Sequence, residues 1–191
     1  MLLLVAGAAA LVAPGSRPSG AVACRGAAYD YCVQALGCTA AEATKAERRI
    51  MPNIAEWITF ARIEESCGWL QSSLDLSDAE LKKMVLTFPQ MLSLSVEDNM
   101  APKLDWLQKR LDLGDAGLRT VVLGHLQLLG LSVEGNMEPK LGFFEEELGL
   151  SPSEVRASII FGPSRLGYSL KKRYRPRLEV CRAAGVDARL V

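Results

Sequence analysis

The sequence predicts an all-α protein, a curved helical-repeat solenoid built from units 37 residues long. Three observations predict it. The chain matches itself at an offset of 37 with no insertion, apolar residues recur at helical spacing inside each unit, and a proline returns at one register position in every unit. Composition agrees: of 191 residues, 49% are apolar and 6% are aromatic, which favours a Leu-rich helical core over sheets.

The register is carried by named residues. Pro102-Lys103-Leu104 falls on Pro139-Lys140-Leu141 and then on Pro176-Arg177-Leu178. Leu92 falls on Leu129 and Leu166, and Ser95 on Ser132 and Ser169. Leu81 and Val85 fall on Leu118 and Val122, then on Val155 and Ile159. Trp106 and Leu107 fall one step back on Trp69 and Leu70. Three units are visible, at about 67–103, 104–140 and 141–177, with a partial fourth over 178–191. A degenerate first unit is expected within 40–66, where Met51-Pro52-Asn53 and Trp57 fit the pattern loosely. Each unit buries one face only by stacking on the next, which makes a solenoid.

Within a unit the first helix is expected over 78–88, with Leu81, Met84, Val85 and Phe88 on one face and Ser77 or Asp78 as its cap. Pro89 and Pro163 end it; Leu126 stands there in the second unit, so that helix runs longer or ends differently. A short apolar connector, Met91-Leu92-Ser93-Leu94, leads to a second helix starting near Ser95, with Glu97 and Asp98 where the helix dipole favours acids. Ser95 and Asp98 outline a capping box. The recurring proline inside this helix bends it at every unit. Trp69, Trp106, Phe143 and Phe144 read as packing residues.

Residues 1–23 read as a targeting leader: a 12-residue apolar run, too short to span a membrane, then a Pro/Gly/Ser/Arg stretch and the small-x-small pattern Ala21-Val22-Ala23. Apolar core and acid-poor, Arg-containing flank together suit an organelle address, mitochondrial or plastid; a secretory signal is the alternative. Residues 24–66 form a weakly patterned helical lead-in and 67–191 the repeats.

Five cysteines, Cys24, Cys32, Cys38, Cys67 and Cys181, include no C-x-x-C pair, so no zinc site and no cofactor are expected. Cys67 and Cys181 read as small buried side chains, and a disulfide among Cys24, Cys32 and Cys38 stays open. His125, the one histidine, has no triad partner in the pattern, and Glu145-Glu146-Glu147 reads as a solvated face. No catalytic constellation stands out, so the chain is read as a non-enzyme.

Charge is uneven. Residues 1–150 hold 13 basic and 19 acidic residues, a net of −6, and residues 151–191 hold 9 and 3, a net of +6. Lys82, Arg119 and Arg156 share one register position; Lys103, Lys140 and Arg177 share another. Equivalent positions in a solenoid point alike, so each ladder is expected to form a stripe of cations along the array. In the last unit the second helix turns basic, with Lys171, Lys172, Arg173, Arg175 and Arg177 within two turns and Arg165 just before. Five phosphate contacts would give a log-affinity against log-salt slope of roughly −4 to −5 on duplex DNA. Tyr168 and Tyr174 are either base-stacking or core residues. The bland alternative for all of these cations is a solvated face.

The run Leu86-Thr87-Phe88-Pro89-Gln90-Met91-Leu92-Ser93-Leu94-Ser95-Val96-Glu97-Asp98-Asn99-Met100-Ala101-Pro102-Lys103-Leu104 resembles the repeat of the mitochondrial transcription termination factor (mTERF) family. So does Phe161 to Leu170 followed by Arg175-Pro176-Arg177, and the likeness spans 67–191. The resemblance implies a superhelix with a concave basic face that binds duplex DNA or RNA in mitochondria or chloroplasts. It also implies a role in transcription termination or initiation, or in organelle RNA and ribosome metabolism. The expected partners are nucleic acid and organellar transcription or ribosome proteins, and a monomer without a mature membrane span is expected. A helical-repeat adaptor that binds protein and no nucleic acid is the competing reading, favoured by the acidic first 150 residues.

Overall fold

The computed structural model describes residues 26–50, 58–187 and 189. Every described element is helical: α1 (Ala27–Gln34), α2 (Ala40–Glu47), α3 (Phe60–Ser73), α4 (Asp78–Thr87), α5 (Ala101–Arg110), α6 (Asp115–Gly124), α7 (Glu138–Gly142), α8 (Pro152–Phe161) and α9 (Arg175–Ala183). The leader, Cys24, Met51-Pro52-Asn53 and Trp57 lie outside the described residues.

Capping sets where the first helix of a unit begins. Ser77 caps α4 and Ser151 caps α8, each in a full capping box with the glutamate three residues on, Glu80 and Glu154. Thr39 and Glu42 build the same box on α2, so residues upstream of 67 use the same opening device. Gly114 takes this place before α6 and offers no side-chain cap. The first helices α4, α6 and α8 are each ten residues long. Leu126 therefore does not lengthen α6: it opens a three-ten turn, Leu126–Gly130, as the prolines do in Pro89–Ser93 and Pro163–Gly167.

These three turns stack on one another as the spine of the array. Met91, Leu92, Leu128, Leu129 and Leu166 are almost fully buried there; each such side chain contributes about 1.5–3 kcal/mol by leaving water. Units approach closely at glycines. A Cβ on Gly124 would stand 2.7 Å from Cγ of Pro163 and one on Gly167 would collide with the His125 ring, while one on Gly130 would sit tightly, 3.2 Å from the Phe88 ring.

Each second helix opens on a wide turn, Val96–Met100, Val133–Met137 or Leu170–Tyr174, just before Pro102, Pro139 or Pro176. Ser95, Ser132 and Ser169 cap these turns by accepting from the backbone N–H three residues on. Ser95 makes no full capping box with Asp98. The backbone bonds run five residues, from Met100 N–H to Ser95 C=O (3.0 Å) and from Met137 N–H to Ser132 C=O (3.1 Å). Proline has no N–H and its ring crowds the carbonyl four residues back, so one extra residue in the turn relieves the clash.

The second helices end on left-handed residues: Asp75 and Asp112 at φ 48°, Gly149 at φ 66°. Their free carbonyls are where one of the basic ladders goes. Lys82 donates to the Gly37 carbonyl at 2.9 Å, Arg119 to that of Leu74 at 3.1 Å, and Arg156 to that of Asp112 at 3.1 Å. Arg119 also pairs with Glu80 at 2.7 Å, helping hold that carboxyl at about 2 together with the Ser77 bonds that lower it most. A cation at a helix C-terminus offsets the dipole and satisfies orphan carbonyls. Lys82, Arg119 and Arg156 thus staple one unit to the preceding one.

Candidate nucleic-acid interface

Structure separates the sequence-predicted cations into three groups with different work. Lys82, Arg119 and Arg156 bind backbone carbonyls between units, as described above. Lys103 and Lys140 are 5% and 4% exposed, so neither is a surface stripe. Lys103 donates to Asn99 Oδ1 at 2.9 Å and to the Leu129 carbonyl of the next unit; Lys140 does the same to Asn136 and the Leu166 carbonyl. Burial pushes both ammonium pKa values down. An expected phosphate rail is therefore an internal fastener, because the face these lysines share is the one the next unit covers.

The third group lies in the last unit. Arg177 holds the register of Lys103 and Lys140 but is exposed, and Arg173 replaces their partners Asn99 and Asn136. The substitution extends further. Met84 and Val121 become Ser158, Met91 and Leu128 become Arg165, Leu94 and Leu131 become Tyr168, and Met100 and Met137 become Tyr174. In the inner units these positions are buried or partly buried apolar side chains. Here they line a cleft of about 390 Å³ that also takes in Phe161, Arg177 and Arg189 and has no carboxylate in its wall.

Local contacts hold this cleft in shape. Tyr174 is buried, packs 5.2 Å from Phe144 and 5.7 Å from Phe143, and donates its hydroxyl to the Arg165 carbonyl at 2.9 Å. Burial pushes its phenol up to about 12, so Tyr174 is a core residue. Tyr168 is half-buried, and the Arg173 guanidinium carbon sits 3.5 Å from its ring centre. The Ser164 hydroxyl and the Arg173 charge hold the Tyr168 phenol below its usual range. Arg173 Nε is buried and has no hydrogen-bond partner within the protein. A buried donor left unmatched costs about 1–3 kcal/mol. Arg165 donates to the Ser158 hydroxyl, and Arg189 reaches Glu154 at 3.4 Å.

Not all of the basic run joins in. Arg175 pairs with Glu147 at 3.2 Å and lines a different, acidic groove. Lys171 and Lys172 are exposed in the first turn of the second helix, without a partner among the described residues. Cations there oppose the helix dipole, where Glu97, Asp98 and Glu134 complement it in the inner units. Broken local rules concentrate at sites kept for function.

Two members of the cleft escaped sequence reasoning. Phe161 is 88% exposed beside the arginines; its register mates Thr87 and Gly124 show that no core role calls for an aromatic there. Arg189 comes in from beyond the last helix and follows no register. Cys67 is buried as expected, and Cys32 and Cys38 are buried free thiols. Two smaller expectations change. Cys181 is half-exposed. Glu145 does not simply face solvent, since Arg110 grips it through two bonds of 2.8 and 2.9 Å. Among the described residues no three His, Cys, Asp or Glu side chains converge as a metal site requires.

No curated protein matches this chain. The family model for mTERF matches residues 49–190, well over half of the chain, and starts upstream of the residue-67 boundary that the repeat register suggested. The chain belongs to the mTERF family, a family of helical-repeat, non-enzymatic proteins that bind nucleic acid and act as organellar regulators.

Proposed function

We propose that this protein binds nucleic acid, duplex DNA in the first place, through the arginine cleft of its last unit. In doing so it regulates transcription, as in termination, or RNA metabolism inside a mitochondrion or chloroplast. One observation carries the reading: Arg165, Arg173 and Arg177 replace neutral or internally bonded residues and meet in a cleft without a carboxylate. Guanidinium forks match phosphate oxygens two at a time, and each phosphate neutralised releases counterions. Phe161 and Tyr168 add aromatic faces beside the charges, a combination suited to a strand's phosphates and bases together. Lys171 and Lys172 extend the positive field along the same helix. The other ladders leave the contact list, so the affinity comes from the last unit rather than from a stripe along the whole array.

The test is a binding titration of the full chain against duplex DNA, single-stranded DNA and RNA over a salt series. Expected is binding at low salt that weakens steadily with ionic strength and is weakened on every sequence by Lys171→Glu with Arg173→Glu. Absence of binding at low salt, or a flat response to salt, overturns the reading.

A further inference from the structure

A second groove, of about 640 Å³, crosses the second helices of the units and shares no lining residue with the arginine cleft. Its floor is apolar. Trp106 on α5, Val133 before α7 and Leu170 before α9 are only partly buried, although each packs on the core. Its rim is acidic. Glu147 is held by Arg175, but Glu134 and Glu146 make no hydrogen bond or ion pair among the described residues. An adjoining hollow of about 430 Å³ continues past Trp106 and Val133 to Asp98 and Pro102, so apolar floor and acidic rim run across more than one unit.

We infer that this groove docks a basic amphipathic helical segment of a partner protein. The rim repels phosphates, which sets it apart from the nucleic-acid cleft. The apolar floor leaves area that only apolar side chains cover to advantage. Lys or Arg on the flanks of such a segment pairs with Glu134 and Glu146, while its apolar stripe covers Trp106, Val133 and Leu170. A half-exposed tryptophan ringed by charge is the side chain that anchors interfaces of this kind. The two surfaces would let one protein hold nucleic acid at its last unit and a protein on the backs of its second helices.

The probe is a fluorescein-labelled designed peptide of Leu and Lys at helical spacing, titrated against the full chain by anisotropy. Expected is saturable binding that falls about tenfold or more in Glu134→Lys/Glu146→Lys, and likewise in Trp106→Ala. The charge-matched pair Glu65→Lys/Glu179→Lys, on exposed positions outside the groove, changes it less than about twofold. A scrambled peptide of equal composition, lacking the apolar stripe, binds at least about tenfold more weakly. Equal loss in both glutamate pairs, equal binding of the scrambled peptide, or no binding at low salt overturns the inference. So does concentration-dependent self-association that the groove variant abolishes, since it assigns the groove to a second copy. The rim charges are surface changes, so the fold survives them, and DNA binding by the same variant is not weakened whichever way the peptide result falls.

Discussion

Arg173 lays its guanidinium over the Tyr168 ring, 3.5 Å from the ring centre. The stack fixes the plane of a cation that would otherwise sweep through many rotamers, so less freedom is lost when it meets a phosphate. Arg173→Lys keeps the charge and loses the plane. It is expected to weaken DNA binding by about 1 kcal/mol, roughly fivefold in Kd. Tyr168→Ala should cost at least as much, and the double variant less than the sum of the two, because the stack they share is lost only once. Fluorescence anisotropy with a labelled duplex measures all three; full additivity would show that the stack does not position the arginine.

Salt dependence counts the phosphates. Replacing Arg165, Arg173 and Arg177 by glutamine together should reduce the slope of log affinity against log salt by roughly 3. Lys109→Gln is the comparison, since Lys109 sits on α5 in an exposed pair with Asp105 at 2.8 Å, away from the cleft. Its slope should match the wild type. Equal slopes for the triple variant and the wild type would remove the cleft from the binding surface.

The repeat was readable from sequence because each spacing is a physical requirement repeated. Leu92, Leu129 and Leu166 return every 37 residues because each fills the same place in the spine. The ladders were readable as ladders but not as fasteners. Register says which way Lys103 and Lys140 point and not what waits there, and what waits is a backbone carbonyl, which every residue carries and no sequence marks. The recurring asparagine four residues before each lysine was the visible clue. Arg173 and Arg177 change together at just those two positions, which marks the end of the internal use and the start of the external one. Arg189 is the opposite case: it joins the cleft through tertiary placement alone.

Register-equivalent cations should therefore fail differently. Lys140→Met leaves the Leu166 carbonyl and Asn136 Oδ1 without their donor, and destabilisation of about 1–3 kcal/mol is expected in urea unfolding. Adding Asn136→Leu should recover part of that loss, since one of the two orphaned acceptors disappears. DNA affinity of the folded protein stays unchanged in both. Arg177→Met should do the reverse, weakening DNA binding while moving stability by no more than about 0.5 kcal/mol, because its side chain is exposed. A stable Lys140→Met with impaired DNA binding would return that lysine to the ligand surface.

His125 should make the junction between the last two units sensitive to acid. Its ring packs against Gly167, and burial together with the nearby Lys140 charge holds its pKa below the ordinary 6.5. The unfolded chain therefore takes up the proton first as pH falls. Its contribution to stability is complete above about 6.5 and drains away as pH drops through that value toward the folded pKa. Phe88 holds the same register one unit earlier and packs on Gly130, so phenylalanine fits this place without a titrating group. His125→Phe is expected to flatten the fall in Tm between about pH 7.5 and pH 5.5, while carboxylates titrating lower still shape the curve of both proteins. The difference between the two melting profiles isolates the histidine, and superimposable profiles would mean the imidazole takes its proton as easily in the folded protein as out of it.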